Sequence, residues 1–261
     1  CTGEKPMSEK AVEATIADAP GRLSRALPLF LAEHTFFNGN AQVRPLVAWA
    51  RGEPSAFIFC AAPWKEDDAA QQARRLDPPA DYIVITHLKV TEEPWRAELR
   101  LIRTIDAQLL GSATAEFSLR DPEQPLRRLA DEMLGLLREH AGLEPATPPP
   151  HYTVPHGAAF GHYLIRLEQL LSVRCYTADP SAGNELHGER EIIDGDIELC
   201  LLQPANVVPR LLLAQTLKRL GKIRPEVVAE YRDKIALLEK QHPLPPPSGG
   251  IVHRLFSELY P

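Results

Sequence analysis

Three successive runs of period-two alternation between Tyr82 and Leu119 constrain this chain more than any other feature. Tyr82, Val84, Thr86, Leu88 and Val90 fall on one face of a strand, and Trp95, Ala97, Leu99 and Leu101 do the same on a second. Leu109, Gly111, Ala113, Ala115, Phe117 and Leu119 supply the third run. Arg96, Glu98 and Arg100 alternate with the second, with Arg103 near them. Apolar residues at every other position with polar ones between them predict an antiparallel meander that buries one face and wets the other. The connections at Glu92–Pro94 and Asp106–Ala107 are short enough for hairpins.

A helix follows the meander. Asp121 has the chemistry of an N-cap, Pro122 suits the first helical position, and Gln124 completes a capping-box pattern. Leu126, Leu129, Met133, Leu136 and Leu137 form its apolar stripe. Upstream, residues 10–17 alternate weakly as a first strand. Leu23, Ala26, Leu27, Phe30, Leu31 and His34 then recur at helical spacing, with Pro28 inside that stretch as a kink or as the first turn of a shorter helix. Asn38-Gly39-Asn40 marks a turn. Val43, Leu46 and Val47 read as a second strand and Phe57–Cys60 as a third, followed by a short polar helix between Glu66 and Leu76 opened by Asp67 and Asp68.

Pro145, Pro148, Pro149, Pro150 and Pro155 form a semi-rigid spacer over residues 143–157. Beyond it the period turns helical. Tyr163, Leu164, Leu167, Leu170 and Leu171 make one stripe, and Ile193, Ile197, Cys200 and Leu201 another. Asn206 is placed to cap a helix that Gly221 stops, and Pro225 opens the next, with a Glu230–Lys234 pair on its outer side. The expected class is therefore α+β. A two-layer α/β sandwich over residues 8–142, with a mixed sheet ending in the meander, precedes an all-α domain over residues 158–261.

The order strand, helix, strands, helix, meander, helix carries two short motifs. Ala80-Asp81-Tyr82-Ile83-Val84-Ile85 enters the meander and Thr104-Ile105-Asp106-Ala107 turns within it. Through these, residues 10–141 resemble the N-terminal domain of the TolB family, from which the chain departs by an insertion at Arg51–Ala62. The resemblance implies a non-enzymatic part of an envelope assembly or a regulatory protein, with no catalytic residue to carry over. Arg210-Leu-Leu-Leu-Ala214 to Gly221 looks like the first helix of a tetratricopeptide repeat in a single copy, where an ordinary helical hairpin is the alternative.

A formal charge of −6 leaves no general attraction for nucleic acid or anionic lipid, and no apolar run is long enough to span a bilayer. Cys60, Cys175 and Cys200 lack paired spacing and read as reduced thiols, which points to the cytoplasm. A lipidated, periplasmic terminus at Cys1 stands as the alternative, beside a remnant ahead of Met7.

The densest polar cluster, His187 to Glu198, offers an imidazole and several carboxylates, yet its spacing matches neither a calcium loop nor a zinc helix. Glu191, Asp194 and Glu198 instead fall opposite the apolar period, as a solvated helix side. His140, His151, His156 and His162 gather around the spacer, where unrelated loop histidines are the plainer reading. Thr2-Gly3-Glu4-Lys5-Pro6 matches a zinc-finger linker, with no Cys/His ligand set beside it. Phosphate loops, nucleophile elbows, HExxH and CxxC motifs are missing from the sequence.

The expectation is thus a non-enzymatic adaptor or regulator without cofactor, binding a protein partner or a second copy of itself. Arg96, Arg100 and Arg103 are its candidate interaction surface. A metal- or small-molecule-binding regulator, or a hydrolase, with a site between the domains at His187, Asp194, Asp196 and the histidines is the competing class. On this reading Arg100 points to water, and its truncation costs well under about 1 kcal/mol.

Overall fold

The computed structural model describes residues 2–4, 19–50, 56–58, 60, 62–149, 152–178 and 188–260. The strand expected at residues 10–17, Cys1, His151, His187 and much of the insertion at 51–62 lie outside these residues. The chain divides into two compact units: residues 1–48 with 57–148, and residues 49–56 with 149–261.

The first unit runs β1 (Thr2–Glu4), α1 (Ala19–Asn38), α2 (Glu66–Arg74), β2 (Tyr82–Lys89), β3 (Trp95–Arg103), β4 (Gln108–Phe117) and α3 (Glu123–Ala141). The sheet order is β1-β2-β3-β4; β1 lies parallel to β2 and the rest is an antiparallel meander. The fold is α+β with a mixed sheet, as the alternation predicts.

Register explains which side chains are buried. Leu99 stands between Thr86 and Ala113, and Leu101 between Val84 and Gly111. Trp95, Ala97, Leu99 and Leu101 are buried on this face, with the rings of Trp95 and Phe117 edge to face at 6.3 Å. α3 packs on β4 and β3 here, and α1 on β2 and α3. The approach at Gly111 is close enough that a Cβ there would meet Leu136 of α3 at 2.6 Å.

Several local expectations change. The register shifts after Leu101, so that Ile102 faces Leu109 and Leu110 is the extra residue of a bulge. Leu109 thereby leaves the buried stripe, Leu119 lies beyond the strand end, and both are exposed. α3 begins at Glu123 with Pro122 in the N-cap position and no side-chain cap, so Asp121 falls in the preceding turn, where its N–H bonds Ser118 O (3.2 Å). α1 continues as one helix through Pro28. Val43, Leu46 and Val47 form no strand; Pro45 among them has no N–H to give a ladder. Of Phe57–Cys60, Phe57 ends a two-residue strand, Ile58 N–H bonds Ala48 O at 2.9 Å and Cys60 forms a single bridge, while Phe59 lies outside the described residues.

The second face of the meander is covered in part. Ile85 and Ile102 are buried against Ala69 and Ala70 of α2, with Trp64, Ile83 and Ala107 packed around them. Glu66, Asp67 and Asp68 occupy the first turn of α2, where carboxylates suit the positive helix end.

The second unit is helical: α4 (Ala158–Ala178), α5 (Glu189–Leu202), α6 (Val207–Leu220), α7 (Pro225–Ala229), α8 (Arg232–Gln241) and α9 (Ser248–Leu259). α6 is its centre, packed on α4, α5 and α9. Asn206 caps it as expected, accepting from the Val208 N–H at 3.0 Å. The helix expected from Pro225 onward breaks at Glu230, and the buried Tyr231 donates its hydroxyl to Arg190 O (3.2 Å). Glu230 and Lys234 do not pair with each other: they bind Arg190 and Asp194 of α5.

Candidate functional site

A predominantly apolar cleft of about 1010 Å³ opens within the first unit. Pro28, Leu31 and Thr35 of α1 and Met133 and Leu137 of α3 form one wall. Ala69, Gln72 and Ala73 of α2, with Leu76, form the other. Between them lie Tyr82, Ile83, Val84, Ile85 and Thr86, five consecutive residues of β2. Alternate residues of a strand point to opposite faces, so five in a row can line one cleft only where it straddles the strand's edge. The topology agrees. β1 meets β2 at His87, Leu88 and Lys89, and among the described residues no strand lies on that side of Tyr82–Thr86.

The rim is built from segment 40–48, whose Val43, Leu46 and Val47 turn out to line the cleft. Arg44 donates to Asp77 O at 2.6 Å, fixing this segment to the loop after α2. At its start, Asn40 N–H reaches Glu144 O (3.1 Å) and Glu144 N–H reaches Asn40 Oδ1 (3.0 Å). Trp64 donates Nε1–H to Cys60 Sγ (3.1 Å), and Arg25 lies 4.8 Å from the centre of the Phe57 ring. Polar groups here serve mainly to hold walls in place.

The three arginines of the expected interaction surface are separated. Arg96 is exposed, between Lys89 and Glu116. Arg100 is only 16 % exposed; it donates to Glu66 Oε1 and to Trp64 O (2.6 Å), which fastens α2 to the sheet. This corrects the expectation that Arg100 points to water. The cause is that the short polar helix lies over that face. Arg103 falls by strand parity on the side of Leu99 and Leu101, and Asp106 grips it at 2.7 and 3.1 Å.

The polar stretch before Glu198 does not converge. Glu189 takes Arg224 (3.1 Å), Arg190 takes Glu230 (2.6 Å) and Asp194 takes Lys234 (3.1 Å), each bound outward across helices. His140 lies in the last turn of α3 in the first unit, while in the second His156 precedes α4 and His162 lies within it. Among the described residues no three His, Cys, Asp or Glu are placed to hold a metal ion. Asp196 differs from its neighbours: it is buried, Oδ2 has no hydrogen-bond partner, and burial pushes its carboxyl up to about 7.

Sequence reasoning missed two features. The cleft has no local signature, since its walls come from segments far apart in the chain. Arg210, buried at 1 % exposure within the apolar run Val207–Leu213, carried a signal in being the lone charge of that run. No family model, curated protein or solved structure matches the chain. No helix of the described residues is long and apolar enough to cross a membrane.

Proposed function

We propose that this chain is a non-enzymatic adaptor or regulatory protein, and that its first unit takes an extended segment of a protein partner along the Tyr82–Thr86 edge of β2. The observation carrying this reading is the cleft lined by five consecutive strand residues with no described strand beside them. An unpaired strand edge offers main-chain donors and acceptors to an incoming strand, while flanking apolar walls select its alternate side chains. The TolB-like and repeat-like resemblances belong to the same proposal, because both imply docking modules. So does a cytoplasmic location, supported by Cys60, Cys175 and Cys200 standing as separate thiols. A small apolar ligand is the second reading, favoured by the volume, which lies at the upper end for such sites.

Peptides selected on the wild-type chain from a random displayed library test it. A bound peptide should slow amide hydrogen exchange within Tyr82–Thr86 about tenfold or more. Leu46 lines the cleft and is 41 % exposed, so Leu46→Asp should change stability by only about 0.5 kcal/mol while weakening the peptide about tenfold. Peptides that protect other segments, or that bind Leu46→Asp equally well, would sink the proposal. Displacement of the peptide by an apolar dye without protection of β2 would support the small ligand instead.

A further inference from the structure

We propose that the pocket around Arg210 in the second unit is a binding site for a small oxyanion, a carboxylate or a phosphate. Arg210 of α6 borders a space of about 250 Å³ lined also by Glu239, His242, Pro243, Leu244, Gly249, Val252 and His253. The residue is 1 % exposed. Of its guanidinium, Nη2 donates to His242 O at 3.0 Å, whereas Nε and Nη1 are buried and have no hydrogen-bond partner. Glu239 shares the pocket but faces His253, its Oε2 lying 3.5 Å from Nδ1.

A guanidinium retains its proton under all ordinary conditions, and burying that charge with N–H groups unmet is strongly unfavourable. Burial in fact lowers the Arg210 pKa, and the field of Glu239 does not restore it. An oxyanion in the pocket would meet the open donors and the charge together, as charge-assisted bonds to carboxylate or phosphate do. The dimensions suit a small group. The walls at Pro243, Leu244 and Val252 would hold the apolar part of a short carboxylate.

Thermal unfolding of the full chain in chloride, acetate or inorganic phosphate at equal ionic strength provides the test. Acetate or phosphate should raise Tm saturably by roughly 4 °C over chloride. Arg210→Met, which keeps the length and removes the charge, should abolish the rise. A response to acetate alone marks a carboxylate site, and to phosphate alone a phosphate site. No rise above chloride, or an equal rise in Arg210→Met, overturns the proposal. Should that variant fail to fold, the ¹⁵Nε–H resonance of Arg210 in the wild type decides: a saturable shift with either anion supports the site, and an unmoved resonance rejects it. None of these outcomes touches the cleft of the first unit.

Discussion

Leu99→Ala should destabilise the first unit by about 2–5 kcal/mol, the range for a buried leucine whose site cannot fully collapse. Leu99 is 1 % exposed, at mid-strand in the centre of the three-stranded meander, opposite Thr86 and Ala113. Neighbouring strands fixed by ladder bonds leave little room to relax into the void. Arg100→Ala should cost less but clearly more than a surface change, about 1–3 kcal/mol, because it strips hydrogen bonds from a half-buried carboxylate and a main-chain carbonyl. Arg100→Glu should be at least as damaging, since it sets a second carboxylate against Glu66. Denaturant unfolding followed by the fluorescence of Trp64 and Trp95 measures all three. A loss below about 0.5 kcal/mol for Arg100→Ala would mean that α2 does not depend on this contact.

Asp196→Asn should remove a pH dependence that the wild type shows between about pH 4 and pH 7. Burial holds the Asp196 carboxyl up to about 7 against an ordinary 3.8; the Thr216 hydrogen bond and the Arg166 charge pull it down without overcoming burial. Cys200, one turn along α5, stays neutral because its own thiol is pushed up to about 12. The unfolded chain releases the Asp196 proton near its ordinary value and the folded chain keeps it to about pH 7. Between these limits the folded state binds the extra proton, so stability is greatest at the acidic end and falls as pH rises through the window. A displacement of this size corresponds to about 4 kcal/mol. Relative to Asp196→Asn, the wild type should therefore lose about that much stability between pH 4 and pH 8. A difference between the two proteins that stays constant with pH would show that Asp196 titrates normally.

The adjacent Gly195 shows how tightly this region is built. A Cβ there would stand 1.8 Å from Nη1 of Arg166, so the guanidinium of α4 lies directly on the glycine of α5. In the sequence, Gly195 is only one residue within the polar cluster His187 to Glu198. The apolar period assigned to that helix, Ile193, Ile197, Cys200 and Leu201, was likewise displaced. Ile192, Ile193, Leu199 and Cys200 are buried, and Leu201 is half exposed.

What the sequence determined alone is the set of elements whose cause is local. Alternation over Tyr82–Leu101 places each side chain on a face because the pleat has period two, and the structure keeps that placement for Trp95, Ala97, Leu99 and Leu101. The Asn206 cap was legible for the same reason, since donor and acceptor lie two residues apart. Tertiary structure decided everything that depends on residues remote in the chain. The bulge after Leu101 exposes Leu109, Glu66 claims Arg100 from 34 positions away, and the cleft joins α1, α2, β2 and α3. Arg210 and Asp196 differ from surface charges only in what packs over them. Periodicity reports which way a side chain points along its own element; it carries no information about which element will cover it, and burial sets the energy of a charge.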